Sequence, residues 1–264
     1  MVGRNQRTAG LEDTMGRPGL VNRALSAMVD WAENLNRKYA TFGDRPVLDV
    51  ADFPWAADIE REWPLVRAEL DRLLVRKEEL PGFHEIISEV RSISADQGWK
   101  TFLFTGFGAT SDEAANLCPE TWRVSNNIPG LKTALFSILE PGKHLQPHRG
   151  AYNGVLRLHL GLLVPEANSD QLGIRVGNEV CQWQEGKAVI FDDCFEHEAW
   201  NRTDQVRVVL MIDFVKPLRF PASAVNWLIL HLAPFTPYIR EAAKAQKQWE
   251  RRFLQPGPTD ATRS

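Results

Sequence analysis

The spacing of apolar positions changes twice along this chain, and each change marks a change of architecture. Residues 1–18 are polar, carry Gly and Arg, show no apolar period and read as disordered. Over residues 20–39, Val21, Leu25, Met28, Val29 and Leu35 fall at helical spacing. A second helix is expected over residues 53–76, with Ile59, Trp63, Val66, Leu70, Leu73 and Leu74 on one side; Pro64 falls close enough to its first turns to be tolerated. Residues 80–94 read as loop and short helix. From residue 99 the period shortens to two, and strands are expected over residues 99–107, 131–139, 154–164, 174–176, 180–183, 188–191 and 207–214. The clearest is 154–164, where Leu156, Leu158, Leu160 and Leu162 alternate with Arg157, His159, Gly161 and Leu163. Gly177-Asn178 and Gln184-Glu185-Gly186 supply turns, and a short helix fits residues 121–126. The helical period then returns in an apolar stretch, 222–235, and a polar one, 237–253, with Ile239, Ala242, Ala245 and Trp249 on a single stripe.

Helices, then about eight short strands, then helices: that order describes an α+β chain whose β part closes into a barrel or sandwich. The expected divisions are a disordered segment over 1–18, a helical part over 19–95 packing on the core, the β core over 96–218, and a helical tail over 219–264 that packs back on the barrel. The stretch 222–235 is too short to cross a bilayer. It is either a buried helix or one lying at a membrane surface. The lack of a dense basic cluster beside it favours burial.

Composition narrows the function classes. The chain has 264 residues, 44% hydrophobic and 25% charged, as in ordinary soluble globular proteins. A net charge of -3 gives no excess of positive charge for nucleic acid. Cys118, Cys181 and Cys194 form neither a CxxC pair nor a disulfide framework, which points to a reducing compartment, the cytoplasm. The first twenty residues lack the apolar core of a secretory signal, and no run of eighteen apolar residues spans a membrane. Oligomeric state is not legible.

Of the six histidines, His148 and His197 stand beside apolar strands in polar turns, where side chains converge at a barrel mouth. Neutral imidazole is a common ligand for iron, zinc or copper; the alternative for each is a solvated or hydrogen-bonded surface histidine. Arg157 and His159 share a strand face, opposite the leucines. Arg207 shares a face with Val209 and Met211. An inward guanidinium needs an anion to meet it, and its fork suits a carboxylate. A face open to water is the competing explanation.

The ordered pieces His144-Leu-Gln-Pro-His148-Arg-Gly150, Leu156-Arg-Leu-His159-Leu-Gly161-Leu, Trp183-Gln-Glu-Gly186 through Phe191-Asp192-Asp193-Cys-Phe-Glu-His197-Glu198-Ala-Trp200, and Arg207-Val-Val-Leu-Met-Ile-Asp213 resemble the aspartyl/asparaginyl β-hydroxylase family over about residues 97–216. The resemblance implies a double-stranded β-helix (jelly-roll, cupin-like) core and an Fe(II)/2-oxoglutarate-dependent dioxygenase. It implies His148 and His197 as iron ligands, and Ser137 and Arg207 on the far carboxylate of 2-oxoglutarate. It places His159 near the metal-proximal carboxylate and Arg157 on a carboxylate of cosubstrate or substrate. Most such enzymes carry a ligating carboxylate where this chain has Gly150, and the family it resembles also has Gly there. Asp192, Asp193 and Glu196 are the candidates for a replacement ligand, but are expected instead to be turn residues or to stand behind the ligands, with Asp193 a candidate to orient a histidine. The implied reaction consumes O2 and 2-oxoglutarate and yields succinate, CO2 and a hydroxylated product. The expected substrate is an aspartyl or asparaginyl β-carbon or a related small molecule or peptide. The alternatives are a lipid acyl chain, as in relatives acting on lipid A, which would need peripheral contact with the inner membrane surface, or a non-catalytic metal-binding β-helix module. Further rivals are a metal-dependent hydrolase and a zinc-binding structural protein.

Overall fold

The computed structural model describes residues 20–253. The disorder expected over 1–18 lies outside the described residues, as does the tail beyond 253. In chain order the elements are α1 (Leu20–Tyr39), β1 (Val47–Leu48), α2 (Ala56–Leu74), α3 (Phe83–Ile86), β2 (Trp99–Gly106), β3 (Ala109–Thr110), α4 (Asp112–Leu117), α5 (Pro119–Asn126), β4 (Leu131–Leu139), β5 (His144–His148), β6 (Val155–Leu163), β7 (Leu172–Val176), β8 (Glu179–Cys181), β9 (Ala188–Phe191), β10 (His197–Asn201), β11 (Arg207–Val215), α6 (Ala222–Leu232) and α7 (Pro237–Phe253). The strands form two antiparallel sheets, ordered β1-β9-β6-β11-β4-β2-β3 and β5-β10-β7-β8. From β4 to β11 the chain steps back and forth between them, and that alternation is the double-stranded β-helix, or jelly roll.

The larger sheet is covered on both faces. On the outer face Phe102, Phe136, Leu210 and Leu160 form a row across four neighbouring strands. Helix α2 lies over β6 and contributes Ile59, Val66 and Leu70 to the same core, while Trp249 and Phe253 of α7 meet Phe102 at ring distances of 6.0 and 6.3 Å. The tail therefore packs back on the barrel, as expected; burying each of these aromatics is worth roughly 2–3 kcal/mol. The inner face runs one position out of step. Thr101, Ser137, Val209 and Gly161 form its corresponding row, with Arg157, His159 and Arg207 on the same side. Burial on both faces explains why the strands read as nearly continuous apolar runs and why polar groups on the inner face lie out of water.

Four expectations change. Pro64 sits in the interior of α2, not its first turns; the helix continues through the lost hydrogen bond because Ile59, Val66, Leu70 and Leu73 anchor it on both sides. Helix α1 leaves Met28 exposed and instead buries Ala32, Glu33 and Asn36. It is held by polar bonds: Asn36 Nδ2 donates to Asn153 Oδ1 (3.0 Å) and Tyr152 Oη (3.1 Å), and Asn153 Nδ2 donates to the Glu33 carbonyl (3.0 Å). Residues 222–235 are not a buried helix: α6 buries only Ala222, Asn226 and Leu230 and turns Trp227, Leu228 and Leu232 to solvent. The last change bears on the site. His148 and His197 lie on strands β5 and β10, neither of which the alternation revealed.

Candidate active site

Strand pairing brings the two imidazoles together. His197 is the register partner of His148, and their ring centroids are 4.1 Å apart. β5 is an edge strand, which is why it tolerates Pro147. Each ring is fixed by a backbone carbonyl two residues earlier: His148 Nδ1 donates to Gln146 O (2.7 Å) and His197 Nδ1 to Phe195 O (3.0 Å). A carbonyl only accepts, so in both rings the proton sits on Nδ1 and the Nε2 lone pair is available. Burial, helped by the nearby Arg157 charge, lowers the His148 pKa to about 4. Burial, then His148 and Arg157, hold His197 well below the usual histidine range. Two neutral, oriented imidazoles side by side are what a divalent transition metal requires.

Glycine is needed at 150. A Cβ there would fall 2.4 Å from Asp193 Oδ1, and Gly150 N donates to the Asp193 carbonyl at 2.8 Å. The space a ligating side chain would use is thus filled by the Asp193 carboxylate, whose pKa burial pushes up to about 6 against the pull of Arg157. Asp193 Oδ1 is buried with no hydrogen-bond partner.

Arg157 differs from the pocket arginine expected to take a ligand carboxylate. It grips Asp213 through Nε–Oδ1 (2.7 Å) and Nη2–Oδ2 (3.1 Å), and its Nη2 lies 3.1 Å from Asp193 Oδ2. The reason is register: Asp213 sits directly across on β11. A ligand carboxylate at Arg157 competes with two buried aspartates of the chain itself.

Arg207 is the opposite case. It is 1% exposed, its Nη1 donates to the Ser137 carbonyl (3.2 Å), and its Nε has no partner. Burial without a facing carboxylate drops its pKa to about 9. The Trp183 ring lies 4.3 Å from its guanidinium carbon and supplies a cation–π contact. Trp183 Nε1 also donates to His159 Nδ1 (3.2 Å), so the His159 proton sits on Nε2, and that Nε2 is buried with no partner. Burial, then Arg207 and Arg157, keep His159 neutral, with its pKa well below the usual histidine value. Ser137 Oγ accepts from Trp99 Nε1 (3.0 Å), leaving its own proton to donate. Across the strand, Thr101 Oγ1 is a further buried hydroxyl without a partner. Phe191 stands between the two groups, 4.9 Å from the His159 ring and 6.0 Å from that of His197. The inner face thus runs from a pair of imidazole lone pairs to unsatisfied donors around a lone buried cation, which suits an anion reaching inward from a metal.

Asp192, Asp193 and Cys194 bring ligand atoms within 4.8 Å of one another. This is a structural turn: Lys216 Nζ binds Asp192 at 2.6 Å, Arg157 faces Asp193, and Cys194 N donates to Asp192 Oδ1 at 3.0 Å. Glu196 is turned away onto Arg175 (3.3 Å). Sequence reasoning missed Trp183, Thr101 and Asp213. The signal for Trp183 was Gly161: a Cβ there would lie 2.1 Å from the Gln184 carbonyl oxygen, so glycine admits the segment that carries the tryptophan. A cleft of about 240 Å³ is lined by Arg37, Asp44, Arg149, Asp192, Cys194 and Phe195, among others; neither histidine lines it, but their chain neighbours Arg149 and Phe195 do.

Residues 60–217 match the family model described as Aspartyl/Asparaginyl beta-hydroxylase. An ornithine lipid ester-linked acyl 2-hydroxylase of Rhizobium tropici is 57% identical over 246 residues, 93% of this chain and 87% of that protein. The aspartyl/asparaginyl beta-hydroxylase of Homo sapiens is 32% identical over 164 residues, 60% of this chain, which spans only 21% of that protein's length. A prolyl-4-hydroxylase structure from Pseudomonas putida aligns with a TM-score of 0.37 at 20% identity, covering 59% of this chain and 88% of that one.

Proposed function

Since the chain belongs to the aspartyl/asparaginyl β-hydroxylase family, we propose that it is an Fe(II)/2-oxoglutarate-dependent dioxygenase that hydroxylates an acyl chain of an ornithine-type lipid. The observation that carries the cosubstrate is Arg207, a buried cation without a counter-charge among the described residues. The orphaned donors fit the group: His159 Nε2 and Arg207 Nε are buried and unpaired, and the Ser137 hydroxyl proton is free. His148 and His197 would hold the iron through Nε2, Arg207 and Ser137 would take a carboxylate of 2-oxoglutarate, and His159 would donate to the same cosubstrate from its unpaired Nε2. Iron and 2-oxoglutarate together supply the oxidising power, with O2, to break an unactivated C–H bond. The protein's share is position and dryness. Carbonyls of Gln146 and Phe195 fix the imidazoles, Trp183 fixes both His159 and Arg207, and Phe191 keeps the space between them apolar. Arg157 is a positioning residue that holds Asp193 beneath Gly150.

The substrate reading rests on the Rhizobium tropici relative. Its identity extends over 93% of the chain, well beyond residues 60–217, and so takes in elements outside the shared β core. That reverses the ranking set by the family name, which put an aspartyl or asparaginyl side chain first. The cleft that Arg149 and Phe195 line carries both charge signs, Arg37 and Arg149 against Asp44, as a zwitterionic amino-acid headgroup requires. Among the described residues Cys118, Cys181 and Cys194 form no disulfide, which accords with a cytoplasmic protein. The test is incubation of detergent-solubilised ornithine lipid with protein, Fe(II) and 2-oxoglutarate. The expected result is a gain of one oxygen on an acyl chain with matching succinate. Oxygen gained only by aspartyl peptides overturns the lipid assignment.

A further inference from the structure

We propose that the solvent face of α6 and the turn after it form a docking surface for an anionic lipid bilayer. Ala224, Trp227, Leu228, His231, Leu232 and Phe235 repeat at helical spacing, and all six lie on the exposed side. The large members are far from marginal: Trp227 is 59%, Leu232 56% and Phe235 68% exposed. Helix α1 packs against α6 and exposes Trp31 (55%) and Met28 as well. Folded proteins rarely leave aromatic and aliphatic groups outward along a whole helix face unless something covers them. Tryptophan favours the bilayer interface, where its ring is apolar and its N–H stays wet.

Charge selects the occupant. No Asp or Glu occurs between Asp213 and Glu241, and no charged side chain between the exposed Arg219 and Arg240 that flank the stripe. Along α6 the nearest charges are the two arginines, with exposed Glu241 beside Arg240 and exposed Asp30 beside Trp31, so the attraction to an anionic membrane comes from two arginines and not from a dense basic cluster, and the apolar stripe carries most of the contact. A second copy fits worse: laying the stripe on itself places Arg against Arg whether the helices run parallel or antiparallel. Placement agrees. Asn226 of α6 donates to the Gly154 carbonyl (2.9 Å) and Asn36 of α1 to Asn153, so both helices clamp the loop that joins His148 to β6. A lipid headgroup at this surface lies beside the cleft and the histidine pair. The choice of a bilayer rests on the acyl-chain reading above. Among the described residues no helix is long and apolar enough to cross a membrane, so contact through this stripe is peripheral.

The test is co-sedimentation of the full chain with phosphatidylcholine vesicles with and without phosphatidylglycerol, beside turnover of detergent-solubilised ornithine lipid. Wild-type protein should sediment with the anionic vesicles. Trp227→Glu/Leu232→Glu should weaken that by roughly tenfold or more, and Arg219→Glu/Arg240→Glu should lower it as added salt does. Both variants should keep wild-type unfolding and detergent turnover, since the changed side chains are exposed. Wild type left in the supernatant overturns the proposal, as does a Trp227→Glu/Leu232→Glu variant that binds vesicles like wild type. A wild-type dimer that this variant splits, without vesicle binding, assigns the stripe to self-association instead. Vesicle binding without lipid turnover sinks the substrate reading and leaves the docking surface standing.

Discussion

Arg207 shows how one residue can weaken a fold and make its chemistry. Its charge is buried without a partner, a state that costs several kcal/mol until an anion arrives. Arg207→Met should therefore raise the melting temperature of the ligand-free protein by a few degrees while erasing the stabilisation that 2-oxoglutarate gives the wild type; calorimetry with and without the cosubstrate reads both. The histidines set a pH dependence of known sign. Unfolded, His148 takes a proton near 6.5; folded, near 4. Between those values the unfolded chain binds more protons, so the metal-free fold loses stability as pH falls through that window, with His197 acting the same way. Urea midpoints should be lower at about pH 5 than at about pH 7, and a His148→Gln variant should flatten that slope; an unchanged slope contradicts the buried, neutral assignment. Gly150 and Asp193 should couple. Gly150→Ala is expected to destabilise strongly on its own and far less in an Asp193→Ala background, because the clash needs both partners; a double-mutant cycle that is additive removes the argument. His148, His197 and Arg207 were legible because ordered motifs surround them. The self-pairing of Arg157 was not, since it depends on which residue of β11 stands opposite.

Elements fail to show in the sequence where chemistry displaces pattern. β5 reads His144-Leu-Gln-Pro-His148 and β10 reads His197-Glu-Ala-Trp-Asn201; neither alternates cleanly, because positions that would carry apolar side chains carry histidines and other polar groups. β6 and β11 were legible because their outer faces are apolar throughout. Helix α5 depends on a residue far away in sequence. The buried Glu69 carboxylate accepts from Glu120 N (3.0 Å), Thr121 N (2.8 Å) and Thr121 Oγ1 (2.7 Å), capping α5 from α2. Glu69→Ala should cost about 1–3 kcal/mol in urea unfolding, because it strands those donors; metal affinity should be unchanged. A variant as stable as wild type rules out the cap.

At the scale of the molecule, the jelly roll separates two tasks. The outer face of the larger sheet is sealed by α2 and α7 and supplies the core, while the inner face is freed to hold an aligned row of polar groups. The order of helices, strands and helices was enough to give that architecture its class. It was not enough to say which way α6 faces, because a stretch of fourteen mostly apolar residues fits burial in protein or in lipid equally well until its neighbours are known. The two named relatives that match the β core carry different substrate names, and the one named for ornithine lipid matches 93% of this chain against 60% for the other. The most direct measurement of the central claim is an anaerobic calorimetric titration of 2-oxoglutarate into Fe(II)-loaded protein. Wild type should bind it saturably. His148→Ala/His197→Ala should hold no iron, and Arg207→Met should keep the iron but bind 2-oxoglutarate about 100-fold more weakly. An Arg207→Met protein that takes up 2-oxoglutarate as tightly as wild type contradicts the account.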